Sequence, residues 1–509
     1  MSTASLVPPA PPTDSVPPTA SVRPTDVVWP TRPPVGRKHG AFDLALLALV
    51  ALGGFLRLWQ LGTSRLGYDE AFTAMAGRMP FGSLMSYLTN QDSHPPLDYL
   101  IHAPFARAGV DEFFFRLPSA LFSIAALALF AWWMRPRGRV GVIATALFAI
   151  STFEIVHGRT ARMYAEVELL GVGIAMLADA WLRRPRRWHA PLLALLMLLG
   201  LLTHVSFFLV GAGLFVLPGR RTDHEAWKWR GAIVIGGLGW AALWGPQFLV
   251  QTRGGHSSWI PRTTVSTFVT TLGQLVTPNS GLHLLALVAV VAGGFLISRS
   301  DRRFRRLWTC GFVVPIGLAA FFGLFAPVLI DRTLTAFVWA PLFAVALVLD
   351  AGIRRFRLLG PVALACVLLV GMQGSLDAVS QRTGPNTALN RLEAVARPGD
   401  VVAVAPKAKS VEIQWALGVR SDDGPWQPVQ LAGMPKAHAI ALTGAPSTGR
   451  VWLLDFHGKG KRLVKPADQC APVWQHGSTR VECLGARSAT AQTVRIGSPR
   501  PAAPLPAAS

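Results

Sequence analysis

Two neighbouring acids, Asp69 and Glu70, follow Tyr68 shortly after the first long apolar run of the chain. A carboxylate in such a place can take the proton from an attacking hydroxyl. Downstream come His94-Pro95-Pro96-Leu97, then Arg159 and Arg162 with Tyr164, a solitary His204 inside an apolar run, and Asp331-Arg332. Guanidinium groups are suited to holding phosphate through paired charge-assisted hydrogen bonds. Each position also has a purely structural reading. Asp69 and Glu70 can cap a helix, where acids face the positive end of the peptide dipoles. Asp111-Glu112 is a rival acidic pair that can anchor a span and pair with Arg116. Arg159 and Arg162 can pair with Glu154, Glu166 or Glu168, and Arg332 with Asp331. His204 can be a structural hydrogen bonder.

The elements that must position these residues follow from hydropathy. Of 509 residues, 51% are hydrophobic and 15% charged, against about 25% charged in a soluble domain. Runs such as Leu282–Ile297 approach the roughly 20 residues that cross a hydrocarbon core as a helix. The spans expected are 41–61, 115–134, 139–157, 162–182, 230–250, 282–298, 307–330, 333–351 and 358–374, with 189–218 apolar as well. The net charge of +22 gathers in six basic clusters between spans. That is the positive-inside signature rather than a nucleic-acid footprint, and no helix-turn-helix, RNP or zinc pattern accompanies it. Both flanks of 189–218 are basic, so this segment enters and returns as a short helix pair or re-entrant turn, broken near Thr203–His204. The expectation is an α-helical polytopic membrane protein of about 11 crossings, N-terminus cytoplasmic.

Three outward segments are long. Residues 62–114 form the first outer loop, where Phe72, Met75 and Met79 recur at the spacing of an interfacial amphipathic helix. A second short helix begins at the Pro95-Pro96 pair. An acidic pair held there, beside a histidine, suits a lipid-linked substrate. Residues 251–281 form another loop. Beyond 375, Asp400–Ala405 and Arg450–Phe456 read as strands and Ser410–Leu417 as a helix, so 376–497 is expected to be a small α/β extracytoplasmic domain. There, Cys470 and Cys483 are expected to form a disulfide in an oxidising compartment. Residues 1–40 and 498–509 have the composition of disordered tails. No CxxC, HExxH, P-loop or GxSxG motif is present.

Taken in order, Tyr68-Asp69-Glu70, His94-Pro95-Pro96-Leu97, Arg116-Leu117-Pro118-Ser119-Ala120-Leu121, Ala161-Arg162-Met163-Tyr164, Leu202-Thr203-His204 and Asp331-Arg332-Thr333-Leu334 resemble the motifs of bacterial GT-C fold glycosyltransferases. The nearest group is the family 39-like set, with protein O-mannosyltransferases and the lipid A aminoarabinose transferase. The resemblance covers residues 41–375. It implies a GT-C transmembrane catalytic domain in the plasma membrane that moves a sugar, mannose or a related hexose or pentose, from a polyprenyl-phosphate donor to a glycan, lipid or protein acceptor. Asp69 would be the general base with Glu70 beside it. His94, Arg159, Arg162, Tyr164, His204 and Arg332 would line the donor phosphate, Arg162 foremost. Any divalent metal would sit on Asp69, Glu70 and His94. Thr333 departs from the tyrosine usual after the arginine. A transporter or flippase of a lipid-linked sugar is the alternative.

Overall fold

The computed structural model describes residues 40–217, 224–253, 260, 262–300, 302–326 and 329–380, and beyond these six strands with residues 392 and 413. The chain opens with α1 (Gly40–Leu58), then three short helices, α2 (Tyr68–Arg78), α3 (Phe81–Gln91) and α4 (Leu97–Ala108). α4 starts directly after Pro95-Pro96 and stops at Gly109, whose φ of 67° is a left-handed helix terminus. The sequence reading foresaw α2 and α4. α3 is additional, and Leu84 and Leu88, one turn apart, are its buried stripe.

α5 (Glu112–Met134) is capped by Asp111, which accepts from the Phe114 backbone N–H. α6 (Arg139–Ala149) and α7 (Thr152–Gly158) form one apolar segment bent by 52° at Ser151. α8 (Tyr164–Arg183) follows, then α9 (His189–Thr203) and α10 (Phe207–Val216), broken at the anticipated place. α11 (His224–Arg253), α12 (Val265–Gln274) and α13 (His283–Ser298) precede α14 (Arg302–Trp308), which passes through a π-helical turn into α15 (Val314–Gly323). A 3₁₀ segment, Asp331–Phe337, turns by 70° into α16 (Trp339–Arg355), and α17 (Leu359–Ser380) completes the helices.

Among the described residues, six helical segments are long and apolar enough to cross a membrane, and up to eight if each bent pair is one span. α8 has the length, but it carries Glu166, Glu168, Asp179 and Arg183. All three acids are buried, so it runs through the interior of the bundle. α17 lies at the other extreme. Only 11% of its apolar window is buried, and Val362 and Leu369 project outward. A helix exposing that much apolar surface belongs against lipid.

Three arginines after α5 tie one end of the bundle together. Arg135 pairs with Asp43 of α1, Arg137 with Asp179 of α8, and Arg139 with Asp350 of α16. Arg183, Arg303 and Arg354 join the same two buried carboxylates. The basic clusters on these helices thus meet at a single end. The opposite ends of α1, α5, α8 and α16 hold the candidate site. At that end α8 and the 3₁₀ segment lie backbone to backbone. A Cβ at Gly171 would overlap the carbonyl oxygen of Ala336 and stand 2.6 Å from its Cα, so only glycine allows the approach.

Strands β1 (Val401–Ala405), β2 (Val429–Gln430), β3 (His438–Ala441), β4 (Arg450–Asp455), β5 (Pro472–His476) and β6 (Thr479–Ala486) form a mixed sheet in the order β2-β3-β1-β4-β6-β5. β1 and β4 are parallel and the other pairs antiparallel. Val404, Leu454 and Val481 face one another in register and are buried, with Trp452 two residues before Leu454 on the same face. Residues 1–39 of the first expected tail, the whole of the second, most of the expected helix 410–417 and Cys470 fall outside the described residues, and with Cys470 the expected disulfide, whereas Gly40 opens α1.

Candidate functional site

The first turn of α2 separates the two acids. Glu70 is buried (3% exposed) and its carboxylate is fully engaged. Arg116 grips it from α5 with Nε on Oε1 (2.7 Å) and Nη2 on Oε2 (2.8 Å). The backbone N–H groups of Ala161 (3.0 Å) and Gly67 (2.9 Å) complete the set. The rest of the Arg116 fork donates to the carbonyls of Leu61, Ser64 and Arg65. A bidentate buried pair with every remaining donor satisfied is a strong positioning device. Arg116 pairs with Glu70, and not with Asp111 or Glu112.

Asp69, one residue earlier, points away from that pair. Its side chain is 44% exposed and faces Arg332 of the 3₁₀ segment, Nη1 to Oδ2 at 3.5 Å. The same Nη1 donates to the Tyr164 hydroxyl at 3.3 Å. Arg332 has 36% of its side chain exposed. Asp331 accepts from the Arg332 backbone N–H through its carboxylate, which fixes the turn.

Arg162 precedes α8 and is buried. It donates to Thr73 Oγ1 (3.1 Å) and to the Tyr99 hydroxyl (2.9 Å), and lies 3.3 Å from His94 Nδ1. Tyr99 in turn donates to Asp92, which also takes the His94 ring at 2.9 Å. Burial alone would raise the Asp92 carboxyl. Charge and hydrogen bonding from His94, then Arg162 and the Tyr99 hydroxyl, outweigh it and hold the group well below the usual carboxylate range. Burial pushes the Tyr99 hydroxyl well above the usual tyrosine range, Arg162 opposing and Asp92 reinforcing the shift.

His204 stands at the break between α9 and α10. Its Nδ1 accepts from the Ser206 backbone N–H (3.1 Å), so the neutral ring carries its proton on Nε2. Its ring lies 5.8 Å from that of His94. Gln251, near the end of α11, donates to the carbonyls of Leu88 and His94 and pins the turn between α3 and α4. Arg159 is otherwise occupied: Nη1 donates to the carbonyls of Leu56, Arg57 and Trp59 and Nη2 to Gln60. It closes the end of α1 and does not face the other residues. Glu168 meets Ser123, to which Arg57 donates, rather than either later arginine.

The structure therefore brings Asp69, Tyr164 and Arg332 together, and beside them His94, Arg162 and His204. Glu70 stands behind, in the framework. Asp69, Glu70 and His94 do not form a metal-binding set. The Glu70 oxygens are taken by Arg116 and two backbone donors, and His94 Nδ1 lies on Asp92. The sequence reading missed Thr73, Asp92 and Tyr99. Asp92 had a signal, since an acid two residues before a histidine at a turn can bond it locally.

No protein-family model matches the sequence, and no curated protein matches it. Solved structures do match. The crystal structure of ArnT from Cupriavidus metallidurans in the apo state aligns with a TM-score of 0.56 at 13% identity, covering 90% of this chain and 100% of that one. The structure of the same protein bound to undecaprenyl phosphate aligns with a TM-score of 0.52 at 13% identity, covering 86% and 97%. ArnT is a GT-C enzyme, and the chain described here has a GT-C glycosyltransferase-like fold.

Proposed function

We propose that the chain is a membrane glycosyltransferase that moves a sugar from a polyprenyl-phosphate donor to a hydroxyl acceptor at the extracytoplasmic face of the plasma membrane. The observation that carries this reading is the meeting of a partly exposed carboxylate, Asp69, with a partly exposed guanidinium, Arg332, in a GT-C fold. The lipid phosphate bound by ArnT supports the donor class.

Asp69 takes the acceptor proton as the acceptor oxygen bonds to the anomeric carbon. The bond from that carbon to the phosphate oxygen breaks, and the phosphate leaves with the electron pair. Arg332 stabilises the charge that develops on it, helped by the Tyr164 hydroxyl. A single displacement inverts the anomeric centre. The greater exposure of Arg332 supports it over Arg162 as the first phosphate contact. Arg162 sits behind it, holding Tyr99 and Thr73, and Glu70 positions the α2 turn from which Asp69 projects.

The test is incubation of the purified protein in lipid nanodiscs with radiolabelled polyprenyl-phosphate mannose and with the corresponding pentose donor. Transfer of label to a hydroxyl-bearing acceptor supports the reading. Movement of intact donor across proteoliposomes without transfer supports the transporter instead.

A further inference from the structure

Two imidazoles stand side by side in the site, and the proposed reaction uses the chemistry of neither. His94 lies in the turn before α4 and His204 at the break between α9 and α10, with ring centroids 5.8 Å apart. Each ring is held through its Nδ1. His94 Nδ1 lies 2.9 Å from Asp92 Oδ1. Asp92 is an ionised carboxylate and only accepts, so His94 Nδ1 carries the proton. Nε2 of the neutral ring then presents a lone pair. Arg162 Nη2, at 3.3 Å, is an electrostatic neighbour of His94 Nδ1 rather than a donor to it.

His204 is held the other way round. Its Nδ1 accepts from the Ser206 N–H (3.1 Å), with the Ser206 hydroxyl at 2.8 Å, so its proton is on Nε2. One ring therefore offers an acceptor and its neighbour a donor, and the polarity of each is set by a partner on its far nitrogen. Neither Nε2 has a hydrogen-bond partner among the described residues. The His94 side is braced as well: Gln251 holds the His94 carbonyl, and the Tyr99 hydroxyl holds Asp92. His94 keeps 23% of its side chain exposed and His204 6% of its surface.

We propose, resting on the glycosyltransferase reading above, that His94 and His204 together grip one hydroxyl of the transferred sugar, which donates to His94 Nε2 and accepts from His204 Nε2–H. An oxygen about 2.9 Å from each nitrogen bridges a gap of roughly 4.5–5 Å, a span that rings at this separation can present. A hydroxyl is the group that fits, because it donates and accepts at once. A hydrogen in its place leaves both nitrogens unpaired. An ammonium donates to His94 but has no lone pair for His204. Arg162 and Arg332, whose charges act on His204, oppose it further. The pair thus selects a neutral, hydroxylated sugar over an aminosugar. Asp69 and Arg332 handle the proton and the phosphate, and the two histidines read the sugar.

The test uses the full chain in nanodiscs with whichever of polyprenyl-phosphate mannose and the pentose donor it transfers, and with the deoxy analogues of that sugar. In the wild type, one analogue is expected to lose about 10–100-fold in kcat/KM against the parent. Asparagine at either position can keep a bond in the place of Nδ1 while it removes Nε2. His94→Asn and His204→Asn are each expected to abolish that gap, at the same sugar position, and to leave the gaps elsewhere as they were. The intrinsic reactivity of a deoxy sugar is common to all the proteins and cancels. A merely structural histidine would lower every donor alike. The wild type alone supplies a second check, since the amino analogue at that position should be no better than the deoxy one. The pair is overturned by a wild type that uses every deoxy analogue, or that amino analogue, as well as the parent. Wild-type gaps at every position in both variants overturn it too, and gaps lost at different positions overturn the shared hydroxyl. Wild-type protein that transfers sugar from neither parent donor overturns the glycosyltransferase reading itself, and the pair with it.

Discussion

Arg332 and Asp69 stand 263 residues apart in the chain, and their side chains meet at 3.5 Å. The contact is at the outer limit of a hydrogen bond, and both groups are partly open to solvent. Such a pair is weak and easily exchanged. In the proposed reaction, an anionic phosphate that took Arg332 would remove the partner from Asp69 as it arrived, and the carboxylate would be released to an acceptor hydroxyl.

Asp69→Asn keeps the shape of the side chain and leaves the Gly67–Glu70 cap of α2 untouched, but removes the proton affinity. Turnover in the labelled-donor assay is expected to fall by about 10²–10⁴-fold. Donor affinity and Tm should stay near wild type. Wild-type turnover in a well-folded preparation would take Asp69 out of the mechanism.

Arg332→Ala is expected to weaken donor binding by about 1.5–3 kcal/mol, the scale of a hydrogen bond to a charged group, and to lower turnover as well. Arg332→Lys should recover part of the binding, since the charge returns without the fork. Titration with short-chain polyprenyl phosphate checks this. Equal affinity in all three proteins would move the phosphate to Arg162.

Glu70→Gln should be a stability variant. It breaks a buried bidentate pair and leaves the Arg116 charge without its carboxylate, an effect of about 3–5 kcal/mol. A marked drop in Tm and in the yield of folded protein is expected, in contrast to Asp69→Asn. Unchanged Tm would show that the Gly67 and Ala161 contacts suffice alone.

Asp92 makes a prediction about acid. Its folded carboxyl lies below the ordinary value of 3.8. The stabilisation it supplies is therefore present above that value and is lost as pH falls from there towards the folded value. Arg162, His94, Tyr99, Tyr87 and Tyr68 are the titratable or charged groups around it. The Tm gap between wild type and Asp92→Asn should be full between pH 5 and 7 and should narrow below about pH 4. A gap that is constant down to pH 3 would contradict the assignment.

Much of the helical frame was legible because lipid imposes a simple rule: an apolar run of sufficient length becomes a helix. That 189–218 must turn back on itself followed from the basic residues on both its flanks, and that it is a short broken element followed from its length. α3 was not legible, because its apolar stripe is short and uninterrupted by the usual signals. At the site, the relevant residue types and motifs could be read, but not their ranking. Whether Arg162 or Arg332 is exposed, and which of Asp69 and Glu70 faces Arg116, depends on contacts between segments far apart in the chain. Local patterns carry no trace of such distances.

The close approach at Gly171 turns a missing carbon into a gauge. The gap between Arg332 and Asp69 is not set by their attraction, which is weak. The segment that carries Arg332 lies against α8, and how near it lies is limited by a single hydrogen atom facing the Ala336 carbonyl. A methyl at position 171 would have to displace Ala336, in the same 3₁₀ segment as Arg332, while leaving every polar group of the site chemically intact. The spacing of the charges can therefore be retuned from a position that bears no functional group.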